Sequence, residues 1–220
     1  MRRLHEPIYR ARLRELVRQI VPLLRPGDRV LDVGCGAGTL GRALLDAPDC
    51  PPDVSVQGLE TAPRGDEPIE VLAYDGQRFP LDDGSVDLVI VADVLHHEPE
   101  PDRLLRECCR VSRRHLVIKD HKPEGPLGWW RVALIDWAAN APYGVPCLFR
   151  YRTARQWRAA FADLRLKLVQ ERQAMRLYPP VVNLFFGGRL QYFAVLEVSG
   201  ESIGPAQNRQ GDRIDPAAEI

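Results

Sequence analysis

Asp32-Val33-Gly34-Cys35-Gly36-Ala37-Gly38 spaces three glycines two apart, directly behind a short apolar run that holds one carboxylate. Glycine lets a backbone turn tightly and lets a ligand approach without Cβ obstruction. The dinucleotide fingerprint is Gly-x-Gly-x-x-Gly/Ala, and counted from Gly34 its last position falls on Thr39. The spacing found is Gly-x-Gly-x-Gly instead. Asp32 stands two residues ahead of Gly34, where a carboxylate repels a pyrophosphate and favours a ligand bearing an ammonium group. A molecule with an amino-acid head and a nucleoside attached fits both features. A bare glycine turn with no ligand is the bland alternative, and the further acids downstream weigh against it.

Those acids are Glu60, Asp75 (followed by Gly76), Asp93 and Asp120, each at the end of an apolar run. Three histidines stand beside them: His96 and His97 after Asp93, and His121 after Asp120. Imidazole titrates near neutrality, so each is a candidate general base. Of the three, His121 is the preferred one, with Asp120 a candidate to orient a neighbouring base; adjacent residues on an extended chain nevertheless point opposite ways. Loop structure is the simpler reading for His96 and His97. No helical i,i+4 ligand pair and no cysteine cluster points to a metal, and none is assigned.

The elements that position these groups follow from periodicity. Leu13, Leu16, Val17, Ile20 and Leu24 recur at helical spacing, predicting an opening helix that ends before Pro26-Gly27. Apolar runs predict strands at 29–33, 54–59, 69–73, 86–92 and 115–118, with a helix over 102–111. The proline- and glycine-rich stretch 61–68 predicts a crossover with little helix. Strands alternating with helices specify a mostly parallel sheet covered on both faces, in which ligands sit beyond the carboxyl ends of the strands. Beyond the fifth strand, 125–140 reads as an apolar, tryptophan-containing helix. Thr153-Ala154-Arg155-Gln156 is a capping box that opens another. Runs at 166–172 and 190–198 predict an antiparallel pair at the sheet edge, joined by a connection without helical pattern.

The stretch Leu31 to Gly38, together with Phe79-Pro80-Leu81-Asp82-Asp83-Gly84-Ser85-Val86-Asp87, resembles the class I S-adenosylmethionine-dependent methyltransferases, in their type 11-like form. The resemblance runs from Val30 to about Lys119 in the correct order. It implies an α/β, Rossmann-like, doubly wound, mostly parallel seven-stranded sheet with an antiparallel C-terminal strand. It also implies S-adenosylmethionine as cofactor, held by Asp32, Gly34, Cys35, Gly36, Gly38, Glu60, Asp75, Gly76 and Asp93. By that resemblance Glu60 accepts the ribose hydroxyls and Asp75 the adenine amino group. His97, Asp120 and His121 become the candidate catalytic residues, at the ends of the strands where donor and acceptor meet. Trp129, Trp130, Trp137, Tyr143, Phe149 and Tyr151, with Asn140 and Arg150 nearby, suit a cover over an aromatic or lipophilic small-molecule acceptor. A helix packed into the core explains the same aromatic spacing equally well. The alternatives to methyl transfer are a nicotinamide-dependent oxidoreductase, opposed by Asp32 and the glycine spacing, and a non-catalytic binding module.

Composition narrows the class further. Thirty basic and thirty acidic side chains balance to zero net charge, which opposes an electrostatic nucleic-acid binder. Five cysteines without regular spacing oppose a disulfide framework and a cysteine-based metal site. No window is apolar and long enough for a membrane span, so a cytoplasmic protein is expected. The expected organisation is one domain over 1–199, with an aromatic helical insertion near 123–151, followed by a polar tail over 200–220 that has too few apolar residues to order itself.

Overall fold

In the computed structural model, residues 2–141 and 147–198 are described. The predicted tail 200–220 and the residues Pro142, Tyr143, Gly144 and Pro146 lie outside them. A long helix α1 (Arg2–Ile20) leads through a 3-10 turn into β1 (Arg29–Val33). There follow α2 (Thr39–Leu45), β2 (Ser55–Glu60), β3 (Glu70–Ala73), β4 (Val86–Ala92), α3 (Pro101–Val111) and β5 (Ser112–His121). The chain then forms α4 (Gly128–Asn140), α5 (Ala154–Asp163), β6 (Lys167–Arg172), α6 (Pro180–Phe186) and β7 (Gln191–Glu197).

The seven strands form one sheet in the order β3-β2-β1-β4-β5-β7-β6. The first five are parallel, and β7 runs antiparallel between β5 and β6. The order reverses beside β1, and that point is where open α/β sheets place their ligands. Between β2 and β3 the chain makes only bends, as the prolines and glycines of 61–68 predict.

Strand side chains alternate between two cores. Leu31, Val33, Val89, Val91, Leu116 and Ile118 pack with Leu105 and Cys108 of α3 and Trp157 and Phe161 of α5. Their sequence neighbours Val30, Leu88, Ile90 and Val117 pack on the other face with Leu16 and Ile20 of α1 and Leu40 and Leu44 of α2. Both faces are therefore dry, which explains why these strands read as mostly apolar runs rather than as alternating ones. The capping box forms as expected: the Gln156 N–H donates to the Thr153 hydroxyl at 3.3 Å, and the Thr153 N–H donates to the Gln156 side-chain oxygen at 2.8 Å.

Three expectations are corrected. β5 begins at Ser112 and runs through His121, longer than the predicted 115–118. Pairing with β7, in which Asp120 faces Tyr192 and His121 faces Gln191, extends the strand into what reads as a polar turn. α4 starts at Gly128 rather than at 125, because Leu127 takes a left-handed conformation (φ 51°). The connection before β7 contains α6, seven residues with Pro180 at its start and no buried side chain. A helix with no buried face leaves no periodic signature.

Candidate functional site

Gly34, Gly36 and Gly38 all adopt positive φ (64°, 55° and 67°) between β1 and α2. The loop is tied to β2 through the Gly34 N–H, which donates to the Leu59 carbonyl at 2.8 Å. The three glycines serve different ends. A Cβ on Gly34 would lie 2.5 Å from Val94 and one on Gly38 2.9 Å from Ile69, so these two permit packing. A Cβ on Gly36 would meet nothing within 4 Å. Gly36 is therefore the position where the backbone faces open space that a ligand can enter. Cys35 turns the other way, its sulfur against Gly58 of β2.

Asp32 lies beneath this loop and is 2% exposed. One of its oxygens is buried with no hydrogen-bond partner. Burial raises its carboxyl to about 7, against the attraction of Arg12 and with added repulsion from Glu60. A buried, incompletely satisfied carboxylate is the chemistry that an ammonium-bearing ligand would complete. Glu60, at the end of β2, accepts from the Gly36 N–H at 3.0 Å and from the Thr61 N–H at 2.9 Å, joining the acid to the glycine loop. Asp75 is exposed and accepts from the N–H groups of Gln77 and Arg78 at 2.8 and 3.0 Å, which shapes the turn at Gly76 (φ 76°). A carboxylate offers about four acceptor sites, so Glu60 and Asp75 retain capacity for a ribose and an amino group.

Asp93 follows β4 directly, with φ 62°. Its carboxylate accepts from Arg12 of α1 at 2.9 and 2.7 Å and from the buried Lys119 of β5. Burial alone would raise this carboxyl, yet Lys119 and Arg12 hold it well below the usual carboxylate range. Burial lowers Lys119, and Asp93 opposes that shift. Tyr9 of α1 also bonds Thr39 at the start of α2. The opening helix thus lies across the carboxyl ends of β1 and β4 and closes one side of the crevice.

On the other side, buried polar groups converge from four elements. The His96 Nδ1 is 2.5 Å from the Asp120 carboxylate of β5, and its Nε2 is 3.4 Å from the Asp136 carboxylate of α4. The His97 Nε2 is 3.4 Å from the same Asp136 oxygen. Asn140 donates to that oxygen at 2.7 Å, and the Tyr151 hydroxyl donates to the other Asp136 oxygen at 2.5 Å. Burial alone would lower His96, but Asp120 and then Asp136 raise it to about 10. Asp136 is penalised by burial and still falls to about 2 through hydrogen bonds from His96 and Tyr151. The His121 ring lies against the His96 ring (centroids 5.2 Å apart), with its Nε2 3.7 Å from Asp93. Burial and the nearby Lys119 push His121 down to about 3, so it is a neutral, weak proton acceptor. That environment weighs against the general-base role suggested for it. Asp120 does orient a histidine, but the histidine is His96, 24 residues upstream.

Comparison with known proteins meets this geometry at the glycine loop and the first five strands. Residues 31–115 match the family described as a methyltransferase domain. Over that segment the chain is similar to methyltransferase domains. The phthiotriol/phenolphthiotriol dimycocerosates methyltransferase of Mycobacterium leprae is 32% identical over 114 residues, 48% of this chain and 42% of that protein. The demethylmenaquinone methyltransferase of Renibacterium salmoninarum is 35% identical over 108 residues, 46% of each chain. The match thus spans less than half the length of either relative. A solved S-adenosylmethionine-dependent methyltransferase from Aquifex aeolicus shares the fold at TM-score 0.59 and 19% identity, covering 90% of this chain and 96% of that one.

Around this segment, the structure brings Asp32, Glu60, Gly36 and Asp93 to one crevice and His97, Asp120 and His121 to its flank. Sequence reasoning missed Arg12, Lys119 and Asp136, and it offered His96 as a candidate general base while favouring a loop role for it. Asp136 left one trace, as a lone carboxylate inside an apolar helix with Asn140 four residues on. Arg12 left none, being one arginine among several on α1. The α4 tryptophans are not core: Trp129, Trp130 and Trp137 are 41%, 68% and 56% exposed, while Val132, Ala133 and Asp136 of the same helix are buried.

Proposed function

We propose that this domain binds S-adenosylmethionine across the glycine loop and transfers its methyl group to a small molecule held where β4, β5 and α4 meet. The observation that carries the reading is the loop itself. Gly36 faces open space beside a buried carboxylate with one oxygen unpartnered, and Glu60 is bonded to the same loop. Asp32 would receive the amino group, Glu60 the ribose hydroxyls and Asp75 the adenine amino group. The cofactor supplies an activated methyl on a sulfonium, ready for in-line displacement. The protein must then position and desolvate, and it needs a base only where the acceptor loses a proton. Arg12, held by Asp93, brings to the crevice a positive charge suited to a ligand carboxylate. Relatives named for phthiotriol dimycocerosates and for demethylmenaquinone support a small-molecule acceptor. The exposed tryptophans of α4 favour one with an apolar or aromatic body. No helix among the described residues is long and apolar enough to cross a membrane.

Titration calorimetry of the whole chain with S-adenosylhomocysteine and with NADH tests the cofactor assignment. Saturable binding of the first alone is expected. Binding of NADH in its place would overturn the reading.

A further inference from the structure

The flank of the crevice holds a set of groups that methyl transfer does not require. Two imidazole nitrogens and one carboxylate oxygen converge: His96 Nε2, His97 Nε2 and Asp136 Oδ1 lie within 4.8 Å of one another. Each nitrogen is 3.4 Å from the Asp136 oxygen. Two ligands on one tetrahedral zinc, at bonds of about 2.0–2.1 Å, lie about 3.4 Å apart. Both nitrogen–oxygen separations therefore match those around a single cation, which the Asn140 amide, 3.4 Å from His97 Nε2 and 2.7 Å from the Asp136 oxygen, would have to turn aside to admit.

The surroundings are those of a metal site. A metal-bound histidine donates its other ring nitrogen to a carboxylate or carbonyl, which fixes its orientation. His96 has that arrangement, its Nδ1 held by Asp120 at 2.5 Å while its Nε2 faces Asp136. Tyr151 bonds the far oxygen of Asp136 and Asn140 the near one, so the carboxylate is held from both sides.

We infer that His96, His97 and Asp136 form a binding site for a divalent cation of the zinc class, with Asp120, Asn140 and Tyr151 as its supporting shell. Imidazole and carboxylate ligands together suit zinc and its neighbours better than magnesium or calcium, which prefer all-oxygen shells. Three protein ligands leave one position open, as in catalytic rather than structural zinc sites. If the methyl-transfer reading holds, that position would take an oxygen of the acceptor and fix it beside the cofactor crevice.

The test uses the full chain, dialysed against chelator and then against one to five equivalents of zinc, with bound metal measured by plasma emission. One retained equivalent is expected. His97→Ala and Asp136→Asn should each abolish retention, and Tyr151→Phe should weaken binding about ten- to a hundredfold, the scale for lost supporting contacts. His97 is partly exposed, so its variant stays informative even if Asp136→Asn fails to fold. Cobalt substitution should give visible d–d bands without a thiolate charge-transfer band, since no ligand is sulfur. Absence of stoichiometric binding would overturn the inference. So would retention unchanged in His97→Ala and Asp136→Asn, which would place the metal on the cysteines. S-adenosylhomocysteine titration of the same preparations reports on the cofactor reading independently.

Discussion

Asp32 makes cofactor affinity depend on pH in a way that can be worked out in advance. Burial raises its carboxyl to about 7, with Arg12 lowering it and Glu60 raising it; Cys35 is its other titratable neighbour, itself pushed up to about 12. If the ligand's ammonium group binds the ionised form alone, the apparent Kd scales as 1 + 10^(7 − pH). That factor is about 11 at pH 6 and about 1.1 at pH 8, so affinity for S-adenosylhomocysteine should weaken about tenfold over that range. Asp32→Asn should flatten the profile and weaken binding at pH 8 by about 1.5–3 kcal/mol, the scale for a lost charged hydrogen bond. The ligand-free protein should respond in the opposite sense. A carboxyl raised in the fold is disfavoured there as the anion. Its penalty is absent below the unfolded value of 3.8 and grows as pH rises toward 7. At 1.36 kcal/mol per unit the penalty reaches at most about 4 kcal/mol. Asp32→Asn should therefore melt above wild type at pH 8, with the gap closing toward pH 4. Calorimetric titration and thermal melts across this range make the test. A wild-type affinity flat with pH, or an equal slope in Asp32→Asn, would refute the placement of the ammonium group on Asp32.

Three further outcomes follow from the same geometry. Glu60→Ala should weaken S-adenosylhomocysteine by about 1.5–3 kcal/mol and speed hydrogen exchange at the Gly36 amide that it holds; wild-type affinity would remove Glu60 from the ribose site. Gly36→Val should abolish cofactor binding while the protein still folds, because the added side chain enters open space and strains only the local backbone (φ 55°); intact binding would show that the loop does not cradle a ligand. Arg12→Met leaves part of the Asp93 carboxylate unpaired and should lower stability by about 1–3 kcal/mol in denaturant titrations; an unchanged midpoint would mean that α1 is held without this pair.

The parts of the protein that could be read from the sequence are those whose signal is local. β1 and β4 show themselves as apolar runs, broken only by Asp32 and Asp87 beyond the opening Arg29, because both of their faces are covered, and the glycine loop because a tight turn at positive φ admits few other residues. Glu60 and Asp75 follow once the strand ends are placed. What the sequence hides is set by contacts across the fold. β5 reaches Asp120 and His121 only because β7, some seventy residues on, pairs with them. Lys119 looks like the first residue of a polar turn, yet it is 1% exposed and bonded to Asp93.

Periodicity also fails where two roles share one pattern. Trp130, Leu134 and Trp137 fall on one side of α4 at helical spacing, and that pattern suits a core helix as well as a cover. The buried side of the same helix carries Asp136, the less hydrophobic choice, so α4 is turned opposite to what its apolar content alone would dictate. A helix that exposes its tryptophans and buries a carboxylate against two histidines is oriented by that carboxylate's partners together with the buried Val132 and Ala133. This has a measurable consequence. Trp137→Ala removes an exposed ring and should shift stability by no more than about 0.5 kcal/mol, and S-adenosylhomocysteine affinity should stay within about threefold, under about 0.7 kcal/mol. If the exposed aromatic side meets the acceptor, turnover with an apolar acceptor should fall in the same variant through a raised KM. A large loss of stability would instead show that Trp137 packs in the core, and the orientation argued for α4 would be wrong.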